Sequence, residues 1–102
     1  MDSLFGLMGM MNNYDVRKVC NTKRKNFILD TALVTDRSWT YETAVTHKNF
    51  NGGAWIILEG SDTKEEAQKV HDKWLEALDK EDYDILYDCY EERGYYRQVS
   101  KN

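Results

Sequence analysis

With 102 residues, 41% of them hydrophobic, no proline and a net charge of −4 at pH 7, the chain is too short for two domains. It is long enough to bury about 65% of its extended surface without a disulfide or metal staple. Seven tyrosines and three tryptophans beside no proline exclude a linker or disordered tail as the bulk of the chain, and the overall acidity opposes general binding to polyanions.

Residues 1–13 read as an apolar, Met/Gly-rich N-terminal arm ahead of a single α+β domain over residues 14–102. The arm's apolar members, Leu4, Phe5, Leu7, Met8, Met10 and Met11, fall short of the roughly 20 apolar residues of a membrane span. The arm also lacks the basic n-region and small-residue cleavage site of a signal peptide, so it is expected to stay in the mature protein. Two uses fit it. It can lie over the core, or it can dock on a partner or a second copy of the chain, since Met adapts to irregular pockets.

Tyr14 to Asn21 reads as a weak edge strand, with Tyr14, Val16 and Cys20 on one parity and Lys18 breaking the pattern. The polar turn Thr22-Lys23-Arg24-Lys25-Asn26 leads into Phe27 to Asp36, apolar on both parities apart from Asp30 and the threonines, hence a central strand. Asp36-Arg37-Ser38 returns the chain to Trp39. There Trp39, Tyr41, Thr43, Val45 and His47 share one parity of a third strand. Asn51-Gly52-Gly53 closes a hairpin with the short apolar run Trp55 to Glu59.

A helix follows. At about 100° per residue, Ala67, Val70, His71, Trp74, Leu75 and Leu78 gather on one side of the wheel, with Glu65, Asp72, Glu76 and Asp79 opposite. Thr63 and Glu66 have the spacing of a capping box, and Glu65–Lys69 and Glu76–Lys80 have the favoured i,i+4 order. Asp82 is then placed to cap a second helix through Arg93, with Tyr83, Leu86, Tyr87 and Tyr90 as its stripe and Gly94 at C′. Tyr95 to Val99 could add a strand or trail across the surface. The expected fold is therefore α+β, a four-stranded antiparallel meander packed by two C-terminal helices.

Charge is uneven. Residues 61–93 hold twelve acids and five bases, whereas residues 1–60 hold six acids and seven bases, so the acidity belongs to the predicted helices. Glu65, Asp72, Glu76 and Asp79 on the first, with Asp84, Asp88 and Glu91 on the second, would line solvated faces. Residues four apart rise about 6 Å, close to phosphate spacing, so such a surface could also mimic a duplex and occupy a nucleic-acid-binding protein.

The segments NYDVRKV, DTALVTD, YETAVTH and AWIILEGSDTKEEAQKVHDKW, after the Met/Gly-rich opening, resemble a group of small uncharacterised proteins encoded by tailed bacteriophages and prophages. The likeness spans residues 8–75, and the Trp-Ile-Ile to His-x-x-Trp stretch is its most specific part. It implies a phage origin, with the host bacterial cytoplasm or the virion as the location. It carries over no catalytic residue.

Cys20, His47, His71 and Cys89 include the residue types of a zinc site, but none is near another in sequence, unlike the close ligand pairs of structural zinc. For an intracellular phage product two reduced thiols are expected rather than a Cys20–Cys89 disulfide. His71, on the apolar face of its helix, reads as a neutral core histidine with one hydrogen bond to the sheet. His47 ends its strand with Glu42 on the other parity, so a catalytic pair would need a carboxylate from elsewhere. No nucleophile elbow, phosphate-cradling loop, HExxH or paired-carboxylate motif is present.

These observations lead to a non-enzymatic interaction protein without cofactor or metal. It would be either a minor virion or assembly component or an inhibitor of a host defence or housekeeping factor. The expected partner-binding residues are Leu4, Phe5, Leu7, Met8, Met10 and Met11 of the arm and Asp72, Glu76, Asp79, Asp84 and Asp88. Two other classes stand beside it. One is a protein sequestering a nucleotide signal in a cavity between hairpin and helix lined by Trp39, Tyr41 and Trp55. The other is a weak nucleic-acid module built on Lys23, Arg24 and Lys25, which Arg17 and Lys18 could join.

Overall fold

The computed structural model describes residues 14–99; the expected N-terminal arm over residues 1–13 lies outside them. Alternation in the strands builds the frame. β1 (Lys18–Lys23), β2 (Phe27–Leu33), β3 (Tyr41–His47) and β4 (Ile56–Ser61) form one antiparallel sheet in the order β1-β2-β3-β4, the meander expected from the pattern. Tyr14–Arg17, expected as the start of a strand, is instead a single helical turn, α1, and β1 runs on through Thr22 and Lys23, the first two residues of the expected polar turn.

One long helix, α2 (Lys64–Asp79), crosses one face of the sheet. Thr63 caps it, its hydroxyl accepting from Glu66 N at 3.1 Å. The glutamate meets the cap's hydroxyl, which donates to Glu66 Oε1 at 3.0 Å, in place of the backbone N–H of a full capping box. The helix stops at Lys80, and Glu81 takes the left-handed conformation (φ 51°) usually given to glycine after a helix. Beneath α2 lie Phe27, Leu29, Val45, Ile56 and Leu58 of the sheet, joined by Phe50, Leu78 and Leu86 and flanked by Trp74, Leu75, Tyr83 and Tyr95. Each fully buried aliphatic or aromatic side chain stabilises the fold by about 1.5–3 kcal/mol.

The second C-terminal helix does not form. Its residues fold as a two-stranded hairpin, β5 (Ile85–Asp88) and β6 (Arg93–Tyr96). The spacing of Tyr83, Leu86, Tyr87 and Tyr90 fits a helix, but Ile85 to Asp88 alternates out, in, out, in, and so short a run does not distinguish the two periods. Asp88 decides the outcome. It is buried, its Oδ1 accepting from Tyr90 N at 2.9 Å and Glu91 N at 2.7 Å, a side-chain-built turn. Its Oδ2 accepts from Ile57 N at 3.0 Å, and Cys89 N donates to Ile57 O at 2.8 Å. The hairpin thereby closes the outer edge of β4, which would otherwise present unpaired backbone groups. Gly94 is no helix cap; it pairs with Tyr87 under the Ile85 side chain.

Candidate functional site

Since α2 covers one face of the sheet, side chains of the other parity face away from it. Ala32 of β2, paired with Glu42, and Ala44 of β3, paired with Asp30, lie diagonally across that face, and their small size leaves a groove of about 380 Å³ between taller neighbours. Tyr14 and Arg17 of α1 wall one side, Trp55 and Ile57 the other, and Val34 and Arg37 come from the β2–β3 connection. Trp55 is half exposed. Trp39 lies on the same face, seated directly over the α-carbon of Gly60, so it and Trp55 do not line a cavity between hairpin and helix.

Two carboxylates and two guanidiniums share this groove. Asp30 accepts from the Tyr14 hydroxyl and from Asn21 Nδ2 at 2.9 Å. Burial, reinforced by Asp30, pushes the Tyr14 phenol up to about 12. Glu42 accepts from Trp39 Nε1 at 3.3 Å and lies 2.9 Å from Arg37 Nε. Burial disfavours the Arg37 charge, but Glu42 and Asp36 outweigh it and raise the guanidinium above its ordinary value. That guanidinium also stacks on the ring of Tyr90, 3.7 Å from its centroid. Arg17 donates through Nη1 to Leu33 O at 3.3 Å.

The histidines are placed differently. His71 is fully buried under α2, with Nε2 2.9 Å from Thr22 Oγ1 and Nδ1 2.9 Å from Thr31 Oγ1. It is the core histidine expected, with two hydrogen bonds to the sheet instead of one. Burial holds it below its usual range, Asp72 and Asp30 opposing only in part. His47 does meet a carboxylate from elsewhere, Glu81, at 3.1 Å and 3.2 Å from Nε2. Its Nδ1 accepts from Asn49 N at 3.0 Å, which leaves the proton on Nε2. The ring is wholly buried among Phe27, Phe50 and Tyr83. With both ring nitrogens engaged, the pair ties the end of β3 to the turn after α2.

The expected acidic row is broken up. Asp72 and Glu76 remain exposed on α2, but Asp79 forms a two-pronged pair with Arg24 at 3.0 Å and 3.2 Å, which also engages the middle cation of the Lys23-Arg24-Lys25 loop. Asp84 stands on the connection to β5, and Asp88 is internal, so the proposed second acidic face does not exist. Leu4, Phe5, Leu7, Met8, Met10 and Met11 lie outside the described residues. Among the described residues no group of three or more His, Cys, Asp or Glu is gathered to hold a metal ion, and no helix is long and apolar enough to cross a membrane. Cys20 on β1 and Cys89 beside β4 are free. Cys20 stands on one edge strand and Cys89 outside the other, about four strand spacings or roughly 19 Å away, out of reach of a disulfide.

A second groove of about 440 Å³ lies between the C-terminal half of α2 and β5, walled by Trp74, Leu78, Tyr83, Ile85 and Tyr87. It is mainly apolar, whereas the groove over Ala32 and Ala44 combines aromatic surface with directional charged groups. Arg37 was not recognisable as a site residue from the chain, and Arg17 only as an adjunct to the cationic loop. The available signal was two alanines facing one way on adjacent strands with a tryptophan just ahead of the next. Among the described residues, fold and site together define an α+β domain with one long helix and a charged, aromatic-walled groove on the sheet face turned away from that helix. Comparison of the chain with protein-family models, curated proteins and solved structures finds no match.

Proposed function

We propose that this is a non-enzymatic interaction protein of phage or prophage origin, which engages a phage or host protein through the face of its sheet turned away from α2. The observation that carries the reading is the groove over Ala32 and Ala44, where exposed aromatic surface and two arginines converge. Tryptophan, tyrosine and arginine are the residues on which protein interfaces most often depend. The saturation of His47 and His71 supports a binding role over a catalytic one.

Copurification of tagged full-length protein from phage-infected cells tests this reading. Trp55→Ala and Ala44→Leu, which remove a wall and fill the floor, should each lose the partner, while Asp72→Asn and Glu76→Gln should retain it. A partner held equally by both groove variants would overturn the assignment to this face. Mass spectrometry of purified particles then separates the two roles, because a virion component recurs at fixed stoichiometry and an inhibitor of a host factor does not.

A further inference from the structure

We infer that the end of the sheet carrying the β1–β2 and β3–β4 turns binds single-stranded nucleic acid, with backbone phosphates on Lys25 and Lys48 and a base stacked on Trp55. The site meets the groove over Ala32 and Ala44 only at Trp55, and it does not depend on a protein partner being held there. Lys48 N donates to Asn26 O at 3.0 Å, which ties the two turns together and sets Lys48 beside Lys25. A third groove, of about 300 Å³, lies at this point, with Arg24, Lys25 and Lys48 around Ile28 and Thr46. Lys23 joins them, paired across to Ile28. Ile28 in turn pairs with Thr46, and the pairing of Val45 with Ile56 sets Trp55 beside Thr46. Lys23, Ile28, Thr46 and Trp55 thus form one row over four strands, with the half-exposed indole about 10 Å from Ile28 by strand spacing. Arg17 and Lys18, the cations expected to join the loop, lie at the far end of β1, roughly 16 Å away by strand rise. Lys48 and Trp55 take their place.

Lys23, Lys25 and Lys48 are exposed and, among the described residues, enter no ion pair, whereas Arg24 is held by Asp79. Four cations against that one acid leave a net of +3. Asp30, the next acid along β2 on this face, is engaged by Tyr14 and Asn21, and counting it still leaves +2. Glu81, which reaches Asn26 Nδ2 at 3.5 Å, is balanced by Arg97. Like charges on adjacent strands repel, and an oxyanion placed between them removes that cost. The exposed acids Asp72 and Glu76 stand on α2, across the sheet, and Asp36 and Glu42 belong to the other groove and its border. The overall −4 therefore weakens the approach of a polyanion without cancelling the local attraction. An acidic peptide or an anionic lipid surface would also meet the lysines. The indole one row away favours a ligand with a flat π-face beside each phosphate, and cations next to an exposed aromatic are the means by which single strands are held. A duplex keeps its bases stacked on one another and offers Trp55 none.

The test titrates full-length protein with an oligothymidylate of about eight nucleotides at about 50 mM salt, following the quenching of tryptophan emission. A dissociation constant on the order of 10–100 μM is expected, with a log–log salt slope of about −2 for three lysine contacts. Lys25→Gln and Lys48→Gln should each weaken binding about fivefold and flatten the slope by about 0.7. Trp55→Ala should weaken it about tenfold, and Trp55→Phe should keep most of the affinity while losing the quenching. Lys64→Gln, at the start of α2, and Ala44→Leu, which fills the other groove, should leave binding unchanged. No saturable quenching, losses from Lys64→Gln equal to those from Lys25→Gln, or binding abolished by Ala44→Leu would each overturn the inference. So would a duplex of the same length, polyglutamate or phosphatidylserine vesicles binding as tightly as the single strand. In copurification, the Lys25→Gln/Lys48→Gln double variant should keep the protein partner while losing the oligonucleotide. A double variant that binds the oligonucleotide like the unmodified protein sinks this site and leaves the partner-binding groove standing.

Discussion

His71 of α2 and Thr31 of β2 are joined at 2.9 Å in the centre of the helix–sheet interface, and Thr31 in turn meets Thr43 at 2.7 Å. A polar chain thus crosses an otherwise apolar contact, and its register fixes where the helix sits along the strands.

Acid should loosen that contact. His71 is held below its ordinary value by burial, so the unfolded chain takes up a proton near pH 6.5 while the folded state does so only at lower pH. Between those values the unfolded state binds more protons, and stability falls as pH falls; above about 6.5 the contribution is fully present. Urea midpoints should be lower at about pH 5.5 than at about pH 7.5. His71→Gln should flatten this dependence and cost about 1–3 kcal/mol at neutral pH by leaving a buried hydroxyl unpaired. An unchanged slope in the variant would refute the role given to His71.

Asp88→Ala should be among the most damaging substitutions in the C-terminal region. One carboxylate there accepts from the backbones of Ile57, Tyr90 and Glu91, so its removal orphans an edge N–H of β4 and unmakes the β5–β6 turn. A loss of about 2–4 kcal/mol is expected, with faster hydrogen exchange at the Ile57 amide. Asp88→Asn should recover part of it, because the amide oxygen still accepts.

Glu81 sets two effects against each other. Its positive φ strains a side-chain-bearing residue by about 1 kcal/mol relative to glycine, yet its carboxylate is the partner of buried His47 and of Arg97. The loss of charged partners, about 1.5–3 kcal/mol, exceeds the relief. Both Glu81→Gly and Glu81→Ala should therefore destabilise, with the glycine variant about 1 kcal/mol the milder, a gap of roughly 4–8 °C in melting temperature. Equal melting temperatures would show that the backbone relaxes.

Gly60→Ala probes the sheet face turned away from α2. A β-carbon at Gly60 would lie 2.2 Å from the Trp39 ring, and the ring cannot yield without losing its bond to Glu42 at 3.3 Å. A cost of about 1–3 kcal/mol is expected, together with a red shift in tryptophan emission as Trp39 is displaced toward solvent. Full stability with unaltered emission would show that the ring has room to move.

Where local pattern and tertiary demand agree, the chain was legible. YETAVTH alternates, and its odd positions are the ones under the helix. Ala67, His71 and Leu78 are the buried residues of α2, as the wheel placed them. Gly52 and Gly53 take the positive φ values their turn requires. The same reasoning failed over residues 82–96. There a tyrosine spacing suited to a helix competed with an aspartate whose backbone partner, Ile57, lies 31 residues earlier, and no local period registers a contact at that range. It failed also at Tyr14–Arg17, four residues too short to carry a period.

Residue order alone determined the antiparallel meander, its crossing helix and the burial of His71, because strand alternation and helix periodicity are properties of neighbours. Only the folded molecule decided that the last segment is a hairpin sealing β4, that the acids do not form a continuous surface, and that Arg17 and Arg37 converge on one groove. Each of those outcomes depends on side chains from separate strands being brought to one face, and spacing along a chain does not encode that distance.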